Sequence, residues 1–443
     1  MVLEELYEVG REALKVGERS GASEIEVFCI SGKSSNIEIV KDEINLARVS
    51  FERGAGIRAL CGKSIGFSST NDFEKIDQSV INAIKCAEVS DADGEGDWTS
   101  LPPSGKYKDV KGIYDKKIDE VSIEECLDIA SMMISGADAK ISKPTSGSLR
   151  FLTYDFVVLN SNGVDISRKE TFLQAYVESV ARDGDDVSTA YDYEVARSMN
   201  IDYFELGQNA SKLAEESLQG VKIVPEKTTV LFRPYAFVDI LENAFVPSLN
   251  AENVQKNRSS LEGKIGEVIA PSELSMVDDG LKDGGIGTSP SDDEGTPSQK
   301  VELIRKGELT SFLYDHHTAS KEGISSTGNA TRPSYSASPH IEIGNLILKY
   351  PTSDLISETD HGILITSVIG GHTANPVSGD FSLDGRNAFL IRDGTICEPI
   401  KQVMVSGNVF DLIKNIDGLD TDVKIAGNVI VPTVRVRDIK VVG

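Results

Sequence analysis

The chain has 443 residues and carries 70 acids against 45 bases, a formal charge of −25. A surface of that sign repels phosphate backbones, which argues against nucleic acid as a direct partner. Apolar content of 40% is that of a globular protein, and no run approaches the ~18 apolar residues of a membrane span.

The opening residues, 2–19, place Leu3, Leu6, Val9 and Leu14 at helical spacing and lack an apolar core or cleavage pattern, so they read as an amphipathic helix, not an export signal. Residues 24–69 read as a strand meander. EIEVFCI alternates, SGKSS turns, NIEIVKDEINLARVSFE continues, GAG breaks, and a last strand follows. A helix is expected at about 72–89, with Asn71 or Asp72 as its N-cap. The order then repeats: helix 122–137, a meander with hairpin signals at Ser161-Asn162-Gly163 and Asp183-Gly184, and helix 203–220 with a glycine stop. A polar Gly/Pro stretch, 91–112, separates the units.

Beyond residue 220 short β-type runs dominate, with helices expected near 235–246 and 409–415. The predicted architecture is α+β. An N-terminal domain (1–220) holds two helix–β-meander–helix units, about 1–90 and 113–220, with antiparallel sheet; a mostly β C-terminal domain covers 221–443.

The chemistry is defined first by the histidines. All five, His316, His317, His340, His361 and His372, lie in the last third, and none is followed by glutamate. A zinc peptidase helix needs two imidazoles one turn apart and a glutamate to take a proton from the metal-bound water. Adjacent His316 and His317 point apart on either a helix or a strand, and read as surface or turn residues before a helix start. His372, in GGHTANPVSGD, sits in a glycine-rich loop that can face a cleft. Asp283, Asp292, Asp293 and Glu294 form an acid-rich loop, a weak cation candidate whose plainer reading is a solvated loop capping backbone amides. A hydrolase pairing His372 with Asp292 is one arrangement these residues allow. The five cysteines, Cys29, Cys61, Cys86, Cys126 and Cys397, are odd in number and show no CxxC spacing, so reduced thiols and a cytoplasmic setting are expected.

Three phrases stand in fixed order: DDGLKDGGIGTSPSDDEGTPSQKVELIRKGELTSFLYD (278–315), ASKEGISSTGNATR (319–332) and NPVSGDFSLDGRNAFLIRDGTICEPIKQVMVSGNVFDLIKNIDGLDTD (375–422). Together they resemble the PmbA/TldE branch of the TldD/PmbA family, first described as modulators of DNA gyrase. In that family the TldD branch carries a His-Glu-x-x-x-His zinc helix and a late cysteine ligand. The corresponding helix here, 235–244, has no histidine. Cys397 sits too early for the ligand and reads as a buried small residue. The resemblance therefore implies no metal in this chain, zinc in a TldD-type partner subunit, and a heterodimer that cleaves unfolded or modified peptides in a closed cavity. A homodimeric peptide-binding or regulatory scaffold is the alternative. Asp292, Asp293, Asn329, Arg332, His372, Asn375 and Asp380 are the candidates for the cavity wall or subunit contact. Extended peptide can add as a strand there, and Arg332 can anchor a carboxylate.

Overall fold

The computed structural model describes residues 2–92 and 96–443, so residues 93–95 of the predicted linker lie outside the described residues. The N-terminal half runs α1 (Val2–Arg19), β1 (Glu24–Val40), β2 (Glu43–Cys61), β3 (Ser64–Thr70), α2 (Ile76–Ala92), α3 (Lys116–Glu120), α4 (Ile123–Ala137), β4 (Ser142–Asn160), β5 (Asp165–Asp183), β6 (Asp186–Ala196) and α5 (Tyr203–Glu216). Both meanders join in one six-stranded antiparallel sheet of order β3-β2-β1-β4-β5-β6, with β1 against β4 at its centre.

The meander predicted with breaks at SGKSS and GAG is instead two uninterrupted strands that turn at Lys41–Asp42. Glycine was read as a turn, but here it makes room. A Cβ on Gly32 would lie 2.3 Å from the Tyr154 ring, and one on Gly54 would lie 2.4 Å from Tyr335. The true turns use positive φ at Gly163 (87°) and Gly184 (60°). Asp72 does cap, its carboxylate accepting from Glu74 N at 3.2 Å, but through one 3₁₀ turn before α2. The end of α5 is set by Gln219 in the left-handed region, not by Gly220.

Strand alternation sorts the sheet into two faces. Odd-numbered Ile25, Val27, Cys29, Ile37, Ile39, Leu149, Phe151, Val157 and Leu159 are buried on the face covered by the helices, with Leu6 and Ala13 of α1, Val80 and Ile84 of α2, Met133 of α4 and Leu206 of α5. Each large side chain so buried stabilises the domain by roughly 1.5–3 kcal/mol. The even-numbered face carries Phe28, Ile30, Val158 and Ile166, and packs with Tyr107 of the linker and Tyr335 of the C-terminal half. Beyond residue 95 the linker is not a solvated spacer. Leu101 is fully buried, its N–H donates to Glu24 at 2.5 Å, and Asn160 donates to Pro102 O at 2.8 Å.

The C-terminal half is mostly β. Strand β7 (Glu226–Phe232) belongs to a run in which 361–369, β7, 434–442, 403–408 and 380–392 pair in turn. Pairing of 361–369 with 380–392 closes the run on itself, which removes its free edges. A second, six-stranded sheet is built on 275–279, 300–305 and 346–349. Between the two sits α6 (Pro234–Ile240), with Phe237, Leu241 and Phe245 in the largest core cluster. The single helix expected over 235–246 loosens at Leu241–Phe245 into a π-helical turn, where Asn243 Nδ2 donates to Asp239 O at 2.8 Å. Among the described residues no helix is long and apolar enough to cross a membrane.

Candidate functional site

The alternation that buries odd residues under the helices leaves charged even residues facing the C-terminal half. Glu26 and Arg58 are register partners on β1 and β2, and Arg168 and Glu170 lie on β5. Into this face projects the loop containing Asp292, Asp293 and Glu294, together with Arg332. The result is a chain of ion pairs in two runs, joined by one main-chain hydrogen bond from Arg332 to Asp293. Glu294 meets Arg58 at 2.7 Å, and Arg58 meets Glu26 at 2.5 Å. Glu26 also binds the Arg332 guanidinium. The Arg332 N–H donates to Asp293 at 2.7 Å, and Asp293 meets Arg168 at 2.5 Å. Arg168 meets Glu170 at 2.7 Å, and Glu170 meets Arg197 at 2.9 Å. Four guanidiniums thus balance four carboxylates in an interface that excludes water, the condition under which buried ions are tolerated.

Asp292 is the fifth acid here. Burial, with Glu294 adding, pushes its carboxyl well above the ordinary range, and bonds from the N–H groups of Ala330, Thr296 and Glu294 pull the other way. Of the acids expected to be solvated, Asp283 is exposed, but the other three are buried: Glu294 is 0% exposed, Asp292 7% and Asp293 8%. For those three the expectation failed because the arginines that pair with Glu294 and Asp293, Arg58 and Arg168, come from more than a hundred residues away. Capping of backbone amides was read correctly, but it occurs in the interior.

Beside the ion chain lies a cavity of about 270 Å³, lined in part by Arg168, Asp278, Asp292, Asn329, Arg332 and Glu342. Asn329 Nδ2 donates to Asp278 Oδ2 at 2.7 Å and to Glu342 O at 3.0 Å. Burial raises Asp278 to about 6 against that bond. The structure thus gathers Asp292, Asp293, Asn329 and Arg332 in one place. Arg332, 7% exposed and tied to Glu26, is engaged within the protein rather than free to anchor a ligand.

His372, Asn375 and Asp380 lie elsewhere. Asn375 Oδ1 accepts from the N–H groups of Val377 and Ser378 at 2.9 and 3.1 Å. Asp380 accepts from Ser378 and Asn408 at 2.8 and 3.0 Å. Both are exposed; Asn375 caps the turn at 376–378, and Asp380 opens the strand 380–392. His372 is exposed on the 3₁₀ turn Gly371–Thr373, where its charge acts on Asp239 of α6; it is not among the residues around Asp292, so the pairing of the two is not formed. His316 and His317 begin a helix, His316–Glu322, rather than preceding it, and both are half-buried. His317 stacks on Trp98 at 4.2 Å, and His316 Nε2 lies 3.2 Å from Ser100 Oγ. Cys397 is half-buried, with Sγ 3.5 Å from Thr395 O, rather than fully inside.

The helix at which the resemblance locates zinc ligands has a different donor set. Asp239 accepts from Asn243 Nδ2 at 2.9 Å and packs against Gly371, where a Cβ would lie 2.4 Å from its Oδ1. Burial raises its carboxyl. Glu242 is exposed to solvent yet crowded by protein, and its carboxyl is raised to about 7 by that crowding, then by Glu342 and Asp239. The Tyr235 hydroxyl is committed to Asp192 at 2.9 Å and to Tyr193 O. Without an imidazole pair, and with the Tyr235 and Asp239 oxygens engaged, this helix does not fit a zinc ion. Among the described residues no group of three or more His, Cys, Asp or Glu is placed to hold a metal.

Sequence reading missed Glu26, Arg58, Arg168, Glu170 and Arg197, as well as the stack of Tyr193 on Tyr235 at 4.2 Å with Lys424 Nζ 4.6 Å over the Tyr235 ring. One signal was available. In EIEVFCI the residues following Glu26 on its own face are Phe28 and Ile30, which is unusual for a solvent face.

Family models match three stretches: PmbA/TldA metallopeptidase domain 1 over 25–88, the central domain over 116–218 and the C-terminal domain over 225–443. An uncharacterized protein of Methanocaldococcus jannaschii is 32% identical over 422 residues, 95% of this chain and 97% of its own. The crystal structure of TldE from Thermococcus kodakarensis superposes with a TM-score of 0.91 at 25% identity, covering 98% of this chain and 100% of that one. A putative modulator of a DNA gyrase from Thermotoga maritima superposes at 0.90 and 26% identity, covering 98% and 99%.

Proposed function

The chain belongs to the PmbA/TldE branch of the TldD/PmbA metallopeptidase family, and from that premise we propose that it is the non-metal subunit of a two-chain peptidase acting on unfolded or modified peptides. One observation carries this reading. The helix that should offer imidazoles to zinc instead presents Tyr235, Asp239 and Glu242, with Tyr235 and Asp239 engaged by neighbours. In this reading a TldD-type subunit supplies the zinc, which polarises the scissile carbonyl and activates water. This chain's own part is positional. The wall formed by Asp239, Glu242 and Glu342 borders the peptide, and the ion chain from Glu294 to Arg197 fixes the N-terminal sheet against the C-terminal half so that the wall keeps its shape.

The test is reconstitution. The isolated chain should hold no stoichiometric zinc and should not cleave an unfolded peptide. Mixed with a zinc-bearing TldD-type relative, it should form a complex that does. Failure to form a complex or to raise cleavage would defeat the reading.

A further inference from the structure

A second cavity lies away from the ion chain, between α5 and β6 on one side and the C-terminal half on the other. Its volume is about 600 Å³, within the usual range for small-ligand sites. Leu213, Leu364, Phe389 and Ile396 give it an apolar wall, opposite the Tyr191 and Tyr235 rings. Arg233, which precedes α6, sits at its border and also lines an adjoining space of about 420 Å³, so its guanidinium stands where two hollows meet.

Four acids and three cations line the cavity, and every one of them but Arg233 has a side-chain partner among the described residues. Lys424 Nζ lies 3.1 Å from both Asp192 and Glu194. Lys212 faces Glu216 at 3.8 Å. Asp422 accepts from Thr433 N and Oγ1, each at 2.7 Å. The half-buried Arg233 side chain has no hydrogen bond or ion pair among the described residues; only its main chain is used, the N–H donating to Ile365 O at 2.9 Å and the carbonyl accepting from Phe237 N at 3.0 Å. A guanidinium offers five donors in a fixed plane suited to a carboxylate. Here that fork borders apolar side chains, while the acids lining the cavity are held by other groups: Asp192 and Glu194 share Lys424, Glu216 faces Lys212, and Asp422 accepts from Thr433.

We propose that this cavity binds an apolar carboxylate, with Arg233 gripping the carboxylate and Leu213, Leu364 and Phe389 receiving the hydrocarbon. The apolar C-terminal residue of a peptide and a medium-chain fatty acid share this chemistry. The inference does not rest on the peptidase reading, because a scaffold with the same cavity takes the same ligand.

Titration calorimetry on the full chain, without any partner, tests it with three probes: acetyl-Gly-Ala-Leu, its C-terminal amide, and octanoate. The acid peptide should bind and the amide should lose at least about tenfold, since a charge-assisted bond is removed. Octanoate binding without the peptide would assign the cavity to fatty acids instead. Arg233→Gln should weaken the bound probe by at least about tenfold with thermal unfolding unchanged. Ile396→Glu, a substitution at a partly exposed position, should do the same by placing a like charge in the wall. The proposal is overturned if neither acid binds up to about 10 mM, if the amide binds as tightly as the acid, or if Arg233→Gln leaves affinity intact. Cleavage by a reconstituted complex is a separate readout, so either idea can fail alone.

Discussion

Replacing Glu26 with glutamine removes the carboxylate that joins Arg58 to Arg332 in the ion chain, without changing the side chain's shape. Glu26 is fully buried and accepts from Arg58 Nε at 2.9 Å and Nη2 at 2.5 Å, and from Arg332. Glutamine keeps one acceptor and turns an N–H₂ group toward a guanidinium donor. Four buried cations then face three carboxylates, and removing one partner of a buried pair costs about 3–5 kcal/mol. Because Arg332 comes from the C-terminal half, the loss falls on the contact between halves. Trp98, the single tryptophan, stacks on His317 across that contact and reports it directly. Urea unfolding followed by Trp98 fluorescence should shift to lower urea than the far-ultraviolet signal, as the halves part before they melt. Arg332→Met in the same background should recover at least about 2 kcal/mol relative to the sum of the single changes. A loss under about 1 kcal/mol, or additivity within about 0.5 kcal/mol, would refute the view that this network joins the halves.

Leu101→Ala empties a fully buried linker position and should cost about 2–5 kcal/mol in urea unfolding; a neutral result would mean that the linker is not packed. Glu242 is raised in the folded state, so between pH 4.5 and about 7 the folded protein holds more protons than the unfolded, and stability falls as pH rises through that window. Glu242→Gln should flatten that part of the stability–pH curve, and carbon NMR of the wild-type carboxyl should show a midpoint near 7. Gly371→Ala forces a methyl group to within 2.4 Å of Asp239 Oδ1 and should cost about 1–3 kcal/mol in thermal unfolding, with relief in the Asp239→Ala background.

Element order was readable because it rests on local periodicity. The apolar residues of 2–19 at helical spacing, the alternation of 24–30 and the glycine turns at Gly163 and Gly184 all state their conformation within a few residues. The errors fell where a local signal was answered from far away. Gly32 and Gly54 look like breaks until Tyr154 and Tyr335 fill the space a side chain would need. Asp292, Asp293 and Glu294 look solvated until Arg58, Arg168 and Arg332 surround them. Asp292, Asp293, Asn329 and Arg332 came together through partners distant in sequence, whereas Asn375 serves its own turn and Asp380 joins that turn to Asn408.

By itself the sequence determined the α+β alternation, the strand and helix order, and the absence of an imidazole pair on the helix at 235–244, since each depends only on residue type and spacing. Tertiary structure decided the joining of both meanders in one sheet and the burial of a balanced ion chain between the halves. It also left the Arg233 side chain without a partner among the described residues, at the edge of a cavity with apolar side chains in its lining. Pairing across such distances is fixed by which surfaces meet, and no window of neighbouring residues contains that information.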